Sequence, residues 1–399
     1  MPFVSTSMSR SVKALVIGTV FVDLVGFAIV LPLLPSYGSR YGGSDFAIGV
    51  LVASYSLVQL LLAPWWGRMS DRIGRRPVIL IGLIGSAFSY LLFAWADTFM
   101  VLLASRVIAG ATGATVNVAQ ASLADGTPPD RRSQVMGLIG ASFGLAFIVG
   151  PALAGITSRL GDAAPGYLAA ALTGANWLLA LVLFPETRVN RIVTEQPTGL
   201  DWRRLTMPFG VILFETLAFT VMYAFFTLFG ERVLGYGREE IAYLFVYIGL
   251  ITAVVQGGVV GWLVPRLGEI RLMVLGSLSL AIGLGSLPLT VGESPTWLIP
   301  ALLTSLFFVA VGTGLVTPTA AGFVSRVTDP RDQGRALGLL QSTASTARIL
   351  GPVAFGIVSG LGGVRAPFMI ASLMALIALV LALRAERLVV PREHETPDT

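Results

Sequence analysis

The sequence contains no cysteine and has a single histidine, His394. Without cysteine, the chain can form no disulfide, no thiolate nucleophile and no sulfur ligand for a metal. His394 lies in a polar tail at 391–399, so the residues before it offer no imidazole as a general base or metal ligand. These absences argue against an enzyme and predict a protein with no metal site and no cofactor.

Charged residues are also scarce. Only 12% of the residues are charged, 55% are hydrophobic and the mean hydropathy is +0.81, whereas a soluble domain is about 25% charged. The composition therefore predicts a polytopic membrane protein. The net charge of +5 does not indicate nucleic acid as a partner, since the basic residues collect at the ends of apolar runs. Arg10 and Lys13 precede an apolar run without a cleavage site, which predicts a first transmembrane helix rather than a signal peptide.

The apolar runs predict the number and direction of the crossings. A spanning helix needs about 20 apolar residues, and the chain has twelve such runs. The basic loop Gly67–Pro77 carries four arginines and is predicted to stay in the cytoplasm. Alternating the loops from there places 20 of the 27 Lys and Arg residues, and both termini, in the cytoplasm. The predicted spans are 12–36, 46–66, 78–96, 99–121, 134–158, 166–185, 208–230, 240–263, 272–291, 296–318, 335–360 and 365–383.

An internal repeat relates the two halves of the chain. Gly137, Gly150 and Gly155 recur 201 residues later, and the hairpin around Gly67 recurs more weakly after 194 residues. We therefore predict an all-α transmembrane fold of two pseudo-symmetric six-helix halves, with a cavity between them near the bilayer midplane. The predicted parts are an N-terminal half at 1–190, a cytoplasmic linker at 191–206, a C-terminal half at 207–390 and a polar tail at 391–399.

Four charged residues lie inside the predicted spans, namely Asp23, Arg106, Glu215 and Arg348. Each charge at the bilayer centre costs about 2.5 to 3.5 kcal/mol on insertion scales, so these side chains must face a wet cavity or one another. We predict that Asp23, Glu215 and Arg106 couple transport to protons. A purely structural ion pair is the alternative for the two arginines.

Helical spacing places polar and aromatic residues on shared faces of several spans. Such faces on lipid-surrounded helices point to the protein interior, and a mixed aromatic and polar cavity suits lipophilic or cationic solutes. Packing alone is the alternative for the aromatic residues. The predicted substrate-binding residues are Tyr55, Gln59, Asn117, Gln120, Phe219, Met222, Phe226, Tyr243, Tyr247, Gln341 and Arg348.

Several motifs resemble one family of transporters. The basic loop resembles the signature loop between helices 2 and 3 of the major facilitator superfamily, and the fifth span resembles the motif of its drug/proton antiporter branch. Arg106 fits the fourth-helix arginine motif of that branch, and Pro185-Glu186-Thr187 fits its sixth-helix ending. The residues that carry the first two motifs are Gly67, Asp71, Arg72, Gly74, Arg75 and Arg76, then Gly140, Gly144, Gly150, Pro151 and Gly155.

Within that branch the chain is most similar to tetracycline-type exporters, at Val22–Gly26, at Phe229–Glu231 and at Gln256. This resemblance adds Gln256 to the predicted substrate-binding residues. The chain departs from that group at Ser89 and Ser279, where those exporters carry carboxylates, so the predicted class is drug exporter rather than tetracycline exporter.

The resemblance also implies roles for the motif residues. Asp71 would lie near the start of the eleventh span and Arg75 near Asp125. These two contacts would hold the cytoplasmic side closed. A charged turn and simple glycine packing are the alternatives for the two motifs.

The function predicted from these observations is proton-coupled export of lipophilic small molecules or drugs by alternating access. A proton entering from outside would neutralise Asp23 or Glu215 and let the two halves rock. The chain is expected to act as a monomer in the cytoplasmic membrane of a bacterium, with the lipid bilayer and a small-molecule substrate as its partners. Import of a nutrient by a symporter or uniporter is one alternative, and a membrane enzyme or receptor is another.

Overall fold

The computed structural model describes residues 8–127, 132–187, 199–290, 295–329 and 332–389. All regular secondary structure in these residues is helical. The helices of the first 190 residues are α1 (Arg10–Val30), α2 (Leu34–Arg40), α3 (Asp45–Ile73), α4 (Arg75–Ala94), α5 (Phe99–Thr112), α6 (Thr115–Asp125), α7 (Arg132–Ser158) and α8 (Ala164–Leu183). The later helices are α9 (Trp202–Phe229), α10 (Arg238–Val254), α11 (Val260–Leu267), α12 (Glu269–Ser286), α13 (Pro295–Val327), α14 (Gln333–Gly362) and α15 (Ala366–Val389).

Side-chain caps mark where several helices begin. The hydroxyls of Ser9, Ser44 and Thr98 accept the backbone N–H groups of Val12, Ala47 and Val101 at 3.3, 3.2 and 3.4 Å. Each cap satisfies one of the N–H groups that the first turn of a helix leaves unpaired. Helices α1, α3 and α5 therefore start where the sequence places a hydroxyl before an apolar run.

Ten helical segments of the described residues are long and apolar enough to cross a membrane. One of them, Arg238–Thr290, has 53 residues, and a shorter apolar helix covers Ser142–Ser158. Each predicted span overlaps a helix of the structure. The prediction of a multi-span, all-helical protein is confirmed.

One local prediction is wrong. The predicted loop Gly67–Pro77 is almost entirely helical, because α3 continues to Ile73, α4 begins at Arg75 and only Gly74 leaves the helical conformation. The predicted span at 99–121 matches one candidate membrane span, Phe99–Leu123, although its helix is interrupted between α5 and α6. At this break the carbonyl of Gly113 accepts a hydrogen bond of 2.8 Å from Gln59 Nε2 on α3. The interhelical bond satisfies that carbonyl where the helix is interrupted.

The chain divides into two compact units. The first unit contains the described residues of Met1–Val193 with Met222–Ala253 and Ile349–Pro367, and the second contains those of Thr194–Val221, Val254–Arg348 and Phe368–Thr399. This division follows packing, whereas the predicted halves at 1–190 and 207–390 follow the sequence repeat and stay a prediction. Residues 191–198 of the predicted linker, residue 390 and the whole predicted tail at 391–399 lie outside the described residues.

Glycines let the helices approach closely within each unit. In the first unit, a Cβ at Gly150 of α7 would collide with Ala28 of α1. In the second unit, a Cβ at Gly283 would lie 2.6 Å from the backbone nitrogen of Val309, and one at Gly312 would lie 2.6 Å from that of Leu280, so α12 and α13 pack almost backbone to backbone. Close contact through small residues is the usual way that helices associate in lipid.

Candidate functional site

Asp23 lies on α1 in the first unit and is only 9% exposed. Its side chain interacts with that of Ser86 on α4, and Oδ1 has no hydrogen-bond partner among the described residues. A buried carboxylate oxygen without a donor is costly. The position therefore suits a group that binds a proton or a ligand during function.

Arg106 lies on α5 and is 1% exposed. Its guanidinium carbon is 5.9 Å from the ring centroid of Tyr90 and 5.7 Å from that of Phe93. Nε donates to Ser105 Oγ at 3.2 Å, and Nη2 has no hydrogen-bond partner among the described residues. No carboxylate of the described residues lies within ion-pair distance of Arg106, so its charge is stabilised by the ring faces and one hydroxyl.

Tyr90 of α4 connects these two charged groups. It interacts electrostatically with both Asp23 and Arg106 and is 3% exposed. Gly26 on α1 makes room for the ring, since a Cβ there would lie 2.9 Å from Tyr90 Cε2. Tyr90 was not among the residues predicted from the sequence. The sequence signal for it is its position one helical turn after Ser86, which places both residues on the same face of α4.

A small cavity lies between α3 and α6 in the first unit. Gln59 Nε2 donates to the carbonyl of Gly113 at 2.8 Å and to the hydroxyl of Tyr55 at 3.1 Å. The cavity has a volume of about 60 Å³, which is room for about two water molecules. Gln59, Gly67, Arg75, Gly113 and Asn117 all line it. The structure thus brings together predicted binding residues and residues of the basic motif.

The basic motif is tied to the end of α8. The Glu186 carboxylate accepts the backbone N–H groups of Arg75 at 2.8 Å and of Arg76 at 3.3 Å and so caps α4. Gly74, with φ of +107°, is required here because a Cβ would strike that carboxylate. The start of α4, the third predicted span, and the end of the sixth predicted span are therefore joined through the motif.

Two predicted contacts of the basic motif stay predictions. Asp71 pairs with Arg75 at 2.8 Å, and Arg75 Nη1 also donates to Ser70 Oγ at 2.6 Å. The side chain of Asp125, the predicted partner of Arg75, lies outside the described residues. The start of the eleventh predicted span (335–360), the predicted partner of Asp71, belongs to the second unit. Arg72 is exposed.

The glycine motif of α7 is a packing motif over part of its length. Gly150 and Pro151 are buried, and a Cβ at Gly155 would lie 2.7 Å from Ala242 Cβ on α10. Gly144 has no atom within 4 Å of such a Cβ, and the surroundings of Gly140 lie outside the described residues. Close packing therefore explains the glycines at Gly150 and Gly155 but not the one at Gly144.

Glu215 of α9 is the buried acid of the second unit and is 2% exposed. Its Oε2 accepts a hydrogen bond of 3.3 Å from Thr216, and its side chain also interacts with Thr313 and Arg348. Oε1 has no partner among the described residues. Arg348 is half-buried and donates to Ser345 Oγ at 3.0 Å.

The remaining predicted binding residues have different surroundings. Met222 and Phe226 are fully buried in the first unit, where Phe226 packs edge-on against Phe245 at 5.5 Å between ring centroids. Gln256 lies in a π-helical turn at Val255–Val259, a feature that often occurs at functional sites. Tyr243 is 57% exposed and donates to Glu239 at 2.6 Å. Gln120, Phe219 and Tyr247 are half-buried, and Asn117 and Gln341 are exposed.

Two buried acids and a buried arginine on long apolar helices are typical of a polytopic membrane protein rather than a soluble one. The chain belongs to the Major Facilitator Superfamily, whose family model matches residues 16–303 and 294–398.

Its relatives include the tetracycline resistance protein, class B, of Escherichia coli, with 32% identity over 88% of this chain and 89% of that one. Multidrug resistance protein 2 of Bacillus subtilis is 25% identical over 95% and 96% of the two chains. The crystal structure of the human organic anion transporter MFSD10 (TETRAN) superposes with a TM-score of 0.70 and 27% identity, covering 94% of this chain and 99% of that one. The chain is thus a multi-pass protein of the bacterial cytoplasmic membrane.

Proposed function

We propose that the chain exports lipophilic drugs from the cytoplasm in exchange for protons. The observation that carries this proposal is the pair of buried carboxylates. Asp23 and Glu215 lie on apolar helices in different units, and each has one oxygen without a partner in the described residues. Groups buried in this way on membrane helices are typical of proton relays.

The proposed topology has twelve crossings in two six-helix halves, with both termini in the cytoplasm. The 53-residue segment Arg238–Thr290 would be about 80 Å long as one helix, far more than the roughly 30 Å of a bilayer core. Gly268, with φ of +76°, interrupts it, which supports two crossings. Dividing this segment adds one crossing to the ten candidate spans, and counting α7 adds another, which gives twelve crossings.

In the proposed cycle, a proton from outside binds Asp23 or Glu215 and drug leaves the cavity toward the outside. Neutralising a carboxylate removes an unpaired buried charge and changes the balance between two conformations. Inward movement of one charge supplies about 2.3 kcal/mol per 100 mV, enough for roughly a fifty-fold gradient of a neutral solute. No metal or organic cofactor takes part in this cycle.

The proposed substrates are lipophilic compounds, including cations. Named relatives are resistance proteins for tetracycline and for several drugs, which supports export rather than nutrient import. Ser89 and Ser279, which replace the carboxylates of tetracycline exporters, donate to the carbonyls of Ser86 and Phe308 at 2.7 Å. Because both hydroxyls are already bonded to backbone, they support a drug class other than tetracycline.

The test is flux in proteoliposomes with an imposed pH gradient, comparing a lipophilic cation, a neutral lipophilic drug and tetracycline. We expect the cation to move against its gradient while protons move the other way. Solute movement in the same direction as protons would favour a symporter, and movement that ignores the pH gradient would favour a uniporter.

A further inference from the structure

A groove lies between α12 and α13 in the second unit. Its volume is about 610 Å³, which is within the range of roughly 300 to 1,000 Å³ that sites for small molecules occupy. The residues that line it are absent from those predicted for binding, coupling or gating. They include Ile282, Ser286, Leu289, Trp297, Thr304 and Phe308.

The groove begins where α12 and α13 stop packing against each other. Gly283 and Gly312 bring the two backbones together in the middle of the pair. The Ser286 hydroxyl then donates to Ser305 Oγ at 2.8 Å. Helix α12 ends at this serine and a 3-10 turn follows at Leu287–Thr290. Beyond the hydrogen bond the two helices leave space between them, and this space is the groove.

One face of each helix lines the groove. The lining residues of α13 follow a spacing of 4, 3 and 4 residues, and those on the other side a spacing of 4 and 3, which places each set on a single helical face. They are Trp297, Ala301, Thr304 and Phe308 on α13, and Ile282, Ser286 and Leu289 on α12 and the turn after it. The groove therefore runs along the helices rather than across them.

The length of the groove matches the depth of one lipid leaflet. From Trp297 to Phe308 the helix rises about 16 Å, and half of the hydrocarbon core of a bilayer is roughly 15 Å. Trp297 is 64% exposed in the first turn of α13. Tryptophan is enriched where membrane proteins meet the boundary between lipid and water. The groove thus extends from the level of the headgroups to about the midplane.

The open side of the groove faces lipid. Ile282 and Leu289 are 45% and 69% exposed, and both lie on a helical segment that is apolar enough to cross a membrane. On a membrane-spanning segment, exposed apolar side chains at this depth contact the acyl chains of the bilayer. A lipid chain can therefore enter the groove without passing through water.

The lining offers little to a polar ligand. Ser305 Oγ donates to the Ala301 carbonyl at 2.9 Å, and the hydroxyls of Thr290 and Thr304 donate to helix carbonyls at 2.8 and 2.7 Å. Since Ser286 also donates within the protein and a hydroxyl has one hydrogen, none of these four can donate to a ligand. The ten lining residues include no charged side chain. Such a surface is complementary to uncharged hydrocarbon.

We propose that this groove binds one acyl chain of a phospholipid from the surrounding leaflet, with the headgroup at the level of Trp297. The inference goes beyond drug export and does not depend on the direction of transport. Burial from water does not drive binding here, because lipid tails are as apolar as leucine. Packing contacts do. A chain in the groove touches two helices, whereas a chain on a convex helix face touches one, so the bound lipid outlasts its neighbours when detergent replaces the bilayer.

The test counts the phospholipid that remains on the purified chain after a long detergent wash. Native mass spectrometry measures it and separates phospholipid from free fatty acid, detergent and a second copy of the chain. We expect the native chain to keep one phospholipid. We expect Ala301→Trp to lower the retained amount about tenfold, because the indole fills the middle of the groove.

Ile299→Trp is the matched control. Ile299 is 55% exposed on the same helix, two residues from Ala301, and does not line the groove, so the same side chain is added at the same depth. We expect this variant to keep as much phospholipid as the native chain. Equal losses in the two variants would overturn the proposal. A native chain that keeps no phospholipid, or that holds a fatty acid or a second chain in its place, would overturn it as well.

A second measurement needs no variant and so does not depend on how a substitution folds. The native chain is reconstituted with a phospholipid that carries a diazirine midway along one acyl chain, washed in detergent and then illuminated. We expect attachment at Ala301 and Thr304, which lie midway along the groove. Leu275 and Leu278 are exposed on α12 but do not line the groove, and equal attachment there would contradict the proposal. Neither assay involves drug flux, so an empty groove would leave the proposed export unaffected, and a chain without export could still bind the lipid.

Discussion

The two buried carboxylates differ in how much support their charge receives. Glu215 is met by the hydroxyls of Thr216 and Thr313 and by the charge of Arg348 in its own unit. Among the described residues, Asp23 is hydrogen-bonded to the hydroxyl of Ser86 and interacts with Tyr90, and its unit's buried arginine, Arg106, lies against aromatic rings instead. A buried charge with few partners is costly to hold. We therefore predict that Asp23 has the coupling role and that Glu215 has a binding or stabilising role.

Replacing each carboxylate by its amide is the most direct way to break this comparison. We expect Asp23→Asn to reduce proton-driven drug accumulation to the level of empty vesicles, because the amide cannot take up and release the coupling proton. Glu215→Gln retains an oxygen that can accept from Thr216, so we expect a loss of about tenfold, the equivalent of one charged hydrogen bond.

The measurement is drug accumulation in proteoliposomes with an imposed pH gradient, with drug exchange at equal pH as a control for folding. If Glu215→Gln abolishes accumulation and Asp23→Asn does not, the assignment of the two roles is reversed.

The two arginines sharpen the same comparison. Arg106 is 1% exposed and lies over two rings, where a lysine would lose the planar contact. Arg348 is half-buried and donates a hydrogen bond to Ser345 Oγ, and a lysine at this position can donate the same bond. We expect Arg106→Lys to lower the coupled transport rate about tenfold and Arg348→Lys to lower it about twofold at most.

Initial rates of proton-driven flux, corrected for the amount of folded protein, give this comparison. Equal losses in the two lysine variants would mean that the ring contacts of Arg106 contribute nothing to transport.

Sequence patterns alone were sufficient to predict the helices and to identify the charged residues buried within them. Long apolar runs determine where spans lie, and Asp23 and Glu215 stand out because charge is rare within them. The extension of α3 to Ile73 was not predicted, because a helix that leaves the bilayer loses the apolar signal on which the span was recognised. The break at Gly113 depends on a hydrogen bond from Gln59, a partner 54 residues away.

The partners of the site residues could not be predicted for the same reason. Tyr90 lies between Asp23 and Arg106 only because Gly26 leaves room for its ring, which is a property of two packed helices. The ion pairs that Arg40, Arg159, Arg232 and Arg238 form with Asp45, Asp162 and Glu239 also required the structure.

A finer test removes one hydroxyl from each acid. Ser86→Ala takes away the hydroxyl that hydrogen-bonds to Asp23, whereas Thr313→Val leaves Thr216 beside Glu215. A single hydrogen bond contributes about 1 kcal/mol, so we expect Ser86→Ala to change the proton-driven rate about fivefold and Thr313→Val less than twofold. A larger effect from Thr313→Val would show that Glu215, and not Asp23, depends on its hydroxyl.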